Sequence, residues 1–155
     1  MRSEPHSRMP GRFSMHEYSI MLAVVERLLQ ESECHGAAAV TAAHLEVGLL
    51  ASLSHVALRQ AFEVLTRGTA LQDAQLEITE VPGRVRCDKC GLLGDTQELG
   101  LEVGHDAPLL LCPACGYLLT ATQGREVVLK EVVLSFPEAG RASVGRVLSS
   151  AHGRR

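Results

Sequence analysis

The chain has 155 residues, 46% of them hydrophobic and 3% aromatic, with no Trp and a formal net charge of −3. That length allows one ordinary domain, or a small domain with a metal-held subdomain, and its core must be built from Leu, Val, Ile and Ala. No run of 18 apolar residues occurs, and residues 1–14 lack the apolar stretch of a signal peptide, so a membrane-spanning helix is excluded and a cytoplasmic location is expected.

Residues 1–14 carry two Pro, one Gly and no apolar period, and are expected to be a disordered N-terminal extension. Met15 could itself begin translation. Ile20, Val24 and Leu28 then recur at four, beside Met21, Val25 and Leu29, with Glu26, Arg27 and Gln30 opposite. This predicts an amphipathic helix that stops near Cys34-His35-Gly36. Cys34 is expected to pack as a small hydrophobe, and His35 to be an exposed cap residue. Residues 40–50 alternate, with Thr41, Ala43, Leu45, Val47 and Leu49 on one strand face and Val40, Ala42, His44 and Glu46 on the other. His44 is thus expected on the sheet surface. Leu58, Ala61, Phe62 and Leu65 predict a second helix ending at Gly68. Residues 76–81 alternate again as a strand, Pro82-Gly83 bends it, and residues 84–86 run into the first cysteine pair.

Cys87-Asp-Lys-Cys90 and Cys112-Pro-Ala-Cys115 form two C-x2-C pairs separated by 21 residues, each followed by a glycine, Gly91 and Gly116. Each pair puts two sulfurs on one tight turn, and glycine permits the positive φ such turns need. Two turns complete a tetrahedron around one Zn²⁺, and four thiolates leave no position open for a substrate. Paired disulfides or unliganded thiols are the alternatives, and a reducing compartment disfavours the first. Residues 91–111 have little periodicity before Leu109, so the metal must supply much of their stability. His105 lies among them and could join the metal shell. Residues 125–134 are β-rich and return to the main sheet, which makes 87–116 an insertion between two strands. From Pro137 on, Gly, Ala, Ser and Arg dominate, and 137–155, with His152, is expected to be a flexible tail. The reading is an α+β fold: a small mixed β-sheet with two α-helices, carrying an inserted zinc-ribbon-like domain with four cysteine ligands.

Charge and spacing narrow the function. Residues 15–136 hold 8 basic and 16 acidic residues, and such a body without stacking aromatics is unsuited to nucleic acid. No Ser-His-Asp order, phosphate-binding loop or convincing pair of acids nominates a catalytic group, so an enzyme is not expected. Ser14-Met15-His16-Glu17 has two readings. Ser followed three residues later by Glu before an apolar run is a capping box, with His16 an exposed first-turn residue. Alternatively His16 begins a nickel site, because imidazole and neighbouring backbone nitrogens suit Ni²⁺.

The segment Met15-His16-Glu17-Tyr18-Ser19-Ile20 resembles the amino terminus of the HypA/HybF family of nickel-insertion accessory proteins in nickel–iron hydrogenase maturation. The resemblance continues through Val40-Thr41, Leu45-Glu46-Val47-Gly48, Phe62-Glu63-Val64, Arg67-Gly68-Thr69, Leu76-Glu77-Ile78, Val81-Pro82, both cysteine pairs and Gly124-Arg125-Glu126. It implies a nickel-binding α/β domain over 15–86 and 117–136 and a zinc-binding domain over 87–116. It also implies His16 and Glu17 as nickel residues, and Cys87, Cys90, Cys112 and Cys115 as zinc ligands. The implied partners are a HypB-type GTPase and the hydrogenase large subunit, with urease accessory factors and a homodimer left open. The rival reading is a zinc-ribbon protein-interaction scaffold without nickel transfer. Two features depart from the family. Fourteen residues precede Met15; if they are kept, the terminal amine is displaced from the nickel site, which then relies on His16, nearby amides and Glu17, or borrows His6. Where some relatives place an acid before the second helix, this chain has Leu53-Ser54-His55-Val56, and His55 could substitute.

Overall fold

The computed structural model describes residues 15–103, 109–138 and 141–148. Helix α1, Met15–Cys34, buries Glu17, Met21, Val25, Leu28 and Ser32. Their steps of four, four, three and four trace one stripe of a 3.6-residue helix. Beyond the helix, the Gly36 amide donates to the Glu33 carbonyl (3.1 Å) and the Ala37 amide to the Ser32 carbonyl (2.9 Å). This paired motif satisfies the last carbonyls and places the stop where the sequence predicts it. Cys34 is exposed rather than packed, because it lies two residues beyond the buried Ser32 and has rotated away from the stripe.

Strand β1, Ala39–Gly48, is followed by a 3-10 turn at Leu49–Ala51, helix α2 at His55–Thr66 and strand β2 at Gln75–Val81. Later in the chain come β6, Val127–Glu138, and β7, Arg141–Leu148; between them and β2 lie the short strands β3, Arg84–Cys87, β4, Leu93–Asp95, and β5, Leu119–Gln123. Ala43, Leu45 and Val47 are buried as the alternation predicts, but Val40 is buried and Thr41 exposed. A bulge between Val40 and Ala42 opposite β6 adds one residue and reverses the facing upstream of it. Leu49 leaves the strand for the 3-10 turn. In α2, Leu58, Ala61 and Phe62 are buried, and the Ser54 hydroxyl caps the helix by accepting from the Ala57 amide at 3.2 Å.

The main sheet runs β2-β1-β6-β7. β1 and β2 are parallel, as a connection through α2 allows, and β6 is antiparallel to both β1 and β7. The helices and one sheet face share a core that includes Met21, Leu28, Leu45, Leu58, Val132 and Leu134. The expected tail from Pro137 is corrected for residues 137–138 and 141–148: β6 extends to Glu138, and β7 pairs with it from Glu131 to Glu138, while 139–140 and 149–155 lie outside the described residues. Val147 packs against the core, which gives the segment an apolar anchor that its Gly, Ser and Arg content conceals.

A second sheet, β4-β3-β5, lies between β2 and β6 in the chain. It takes in residues 84–86 and 119–123, which flank the span 87–116 expected for the inserted unit. Leu50, Val85 and Leu110 form its core, with Leu99, Leu101 and Val103 against them. The two connections to the main sheet meet at one point. A side chain on Gly48 would strike the Gly124 backbone, and one on Gly124, whose φ is +99°, would strike Gly83. Amide bonds from Gly48 to the Glu126 carbonyl and from Leu50 to the Gly124 carbonyl, both 2.8 Å, hold the crossing.

Candidate metal centres

The two cysteine turns have the same construction. Each first cysteine donates its amide to the residue five ahead, Cys87 to Leu92 (2.8 Å) and Cys112 to Tyr117 (2.7 Å). Each following glycine donates back to that cysteine's carbonyl, Gly91 at 2.9 Å and Gly116 at 2.8 Å. Both glycines have positive φ, +79° and +73°. The four Sγ atoms converge within 4.8 Å of one another. Cys87 and Cys115 Sγ are 3.5 Å apart, and Cys90 and Cys112 Sγ 3.6 Å. A disulfide would require about 2.05 Å. A tetrahedral ion with sulfur at about 2.3 Å gives edges of about 3.8 Å, which fits this set.

Electrostatics point the same way. Amide donation, chiefly from Cys90 and then from Lys89, outweighs burial and lowers the Cys87 thiol to about 6. At Cys90 the Leu92 amide pulls down, but Cys87, burial and the other two sulfurs together push the thiol up to about 12. Cys115 is also raised, its Tyr117 amide outweighed by burial and by neighbouring Cys87 and Cys112. Four negative sulfurs cannot share this volume without a cation, and a divalent ion removes the conflict.

Supporting residues around the sulfurs have no signature in the spacing. Asp88 accepts from Arg86 Nε and from the Thr120 hydroxyl, each at 2.9 Å, joining the first turn to β3 and β5. The Thr120 bond, then Arg86, holds its carboxyl below the usual range. Lys89 Nζ lies 5.6 Å from the centre of the Tyr117 ring, so each turn grips the other.

The head of α1 is a different environment. Met15 and His16 are exposed, whereas Glu17 is only 8% exposed. Glu17 lies four residues before Met21 on the buried stripe, a phase that was visible in the sequence and that a capping-box reading passes over. Its Oε1 accepts from the Ser54 amide (3.3 Å), at the positive N-terminal end of α2. Ser14, the other half of the capping box, lies outside the described residues. His55 follows Ser54 and brings its Nε2 within 3.5 Å of Glu80 Oε2 on β2. The structure thus gathers Glu17, Ser54 and His55 where α1, α2 and β2 converge.

The other histidines have local roles. His35 Nδ1 meets the Glu31 carbonyl at 2.8 Å, and His44 Nε2 meets the Thr79 hydroxyl at 2.7 Å on the open sheet face. His6, His105 and His152 lie outside the described residues. Among the described residues no helix is long and apolar enough to cross a membrane.

Comparison with known proteins supplies the context. Residues 15–134 match the family model described as hydrogenase/urease nickel incorporation, metallochaperone, hypA. The hydrogenase maturation factor HypA of Azotobacter chroococcum mcd 1 is 39% identical over 119 residues, 76% of this chain and 97% of that protein. The Azotobacter vinelandii factor is 38% identical with the same coverage. A HypA of Methanosarcina acetivorans is 29% identical over 126 residues, 76% of this chain and 94% of its own. The fold resembles the solution structure of the nickel metallochaperone HypA from Helicobacter pylori, with a TM-score of 0.51, 18% identity, and coverage of 75% of this chain and 94% of that one.

Proposed function

The chain belongs to the HypA family of hydrogenase/urease nickel-incorporation metallochaperones, and we propose that it carries Ni²⁺ at the head of α1 and delivers it to the large subunit of a nickel–iron hydrogenase. The observation that carries this reading is the contrast between an exposed His16 imidazole and four converged sulfurs. A delivered ion must be reachable and exchangeable. Imidazole and backbone nitrogens suit Ni²⁺, and a surface site lets a recipient compete for it. Glu17 serves beside His16, its carboxylate anchored by the Ser54 amide so that the first turn of α1 is held in place.

Cys87, Cys90, Cys112 and Cys115 would hold Zn²⁺. The tetrahedral sulfur set suits an ion without geometric preference of its own and offers no vacancy for cargo. Bound there, zinc would supply a permanent cross-link between the two turns. In this reading a HypB-type GTPase and the hydrogenase large subunit are the partners in the cytoplasm, urease accessory factors a further recipient route, and the nickel-carrying body is the unit that holds α1 and α2.

Calorimetric nickel titration tests this, using the full chain and a form beginning at Met15, each with and without His16→Ala. The expected result is nickel binding that His16→Ala removes while one zinc per chain is retained. If His16→Ala leaves nickel binding unchanged, the delivery reading fails and a zinc-held interaction scaffold takes its place.

A further inference from the structure

We propose that β7 is a self-supplied edge strand that keeps two copies of this chain from pairing through β6. The inference is independent of nickel. On one side β6 pairs with β1; on the other, among the described residues, it pairs with β7, across Glu131–Glu138 and Arg141–Leu148. Within that stretch Val132-Val133-Leu134-Ser135-Phe136 is uncharged, rich in β-formers and free of Pro. An open edge of this composition, with its row of unpaired amides and carbonyls, is a template for a second strand. The chemically matched partner is the same stretch of another copy, because an antiparallel pair can form across a twofold axis.

The occupant replaces a sticky edge with a guarded one. Arg146 Nε pairs with Glu131 Oε1 at 3.2 Å, and Val147 and Phe136 both pack against the main core. Arg146 lies on the strand that becomes the new outer edge, and charge on an edge opposes further pairing. β7 also lies beyond the residues that the family model matches. The family match ends at residue 134, inside β6, and the matched 119 residues already make up 97% of the Azotobacter chroococcum protein. Compared with that protein, this chain carries its edge protection in an added segment.

The test compares the full zinc-loaded chain with a form ending at Glu138, by sedimentation over a concentration series. The truncated form is expected to rise toward about twice the mass of the full chain. Val133→Lys in the truncated form should return it to the full chain's mass, because Val133 alternates with the buried Val132 and Leu134 and a lysine there charges the edge without entering the core. As a second route, Arg146→Pro in the full chain interrupts β7 while leaving β6 whole. It should give the same concentration-dependent rise. The proposal is overturned if the truncated form keeps the full chain's mass, or if it associates and Val133→Lys does not reverse it. It is equally overturned if Arg146→Pro exposes the β6 amides to hydrogen exchange without any rise in mass.

Discussion

Among the described residues, sixteen buried apolar residues close the core of the four-stranded unit; the core of the cysteine unit has three, one of them Leu50 from the 3-10 turn after β1. Two helices cover the first sheet, whereas the second has three short strands and no helix among the described residues. So small a core cannot offset the conformational entropy of the unit's roughly thirty-five described residues, at about 1–2 kcal/mol each for the backbone alone. The cysteine unit therefore depends on a cross-link that the main unit does not need. The two halves should fail under different insults.

The sharpest way to break that comparison is to remove the metal. Cys112→Ser is expected to release the bound ion and to strip hydrogen-exchange protection from residues 84–123, a loss on the order of 10 kcal/mol of metal-coupled folding energy. Protection in α1 and β1 should persist, and its collapse would show that the units are not separable. Leu58→Ala attacks the other side. Leu58 is fully buried, so the main unit should lose about 2–5 kcal/mol in urea unfolding while metal content stays at wild-type level. Gly124→Ala strikes the joint between them. A side chain there meets Gly83 and the residue is held at φ +99°, so a loss of about 1–3 kcal/mol is expected, read as a lower Tm for both units.

The smallest effect is electrostatic and belongs to the metal-free protein. The Cys87 thiol lies at about 6, below its ordinary value of 9.0, so its contribution to stability is complete above pH 9 and is lost as pH falls through about 6. Cys90 has the opposite sign: raised to about 12, it favours the fold below pH 9 and ceases to do so as pH rises toward 12. Thiolate absorbance should therefore show one sulfur ionising near pH 6 and another resisting to about pH 12. A single transition near 9 would mean that the two cysteine turns open once the metal is gone.

Much of this was legible beforehand, because it rests on local spacing. The helical periods of α1 and α2, the stop at Gly36 and the paired cysteine turns all depend on residues within a few positions of one another. What escaped depends on partners far along the chain. The bulge that turns Thr41 outward is set by β6, and β7 is recognisable only once Val147 has a core to pack against. At the metal centres, the sulfurs announced themselves through spacing. Asp88 did not, since its partner Thr120 lies 32 residues away, and Glu17's partner at Ser54 is 37 residues away.

The crossing of Gly83 and Gly124 has one more consequence. A side chain on Gly124 would run into the Gly83 backbone, so the outgoing and returning chains lie side by side there. The cysteine unit thus leaves its host and returns to it through one doorway. Such a unit has the form of a cassette: joining the chain across Gly83 and Gly124 is expected to remove it while β2 and β6 stay paired with β1.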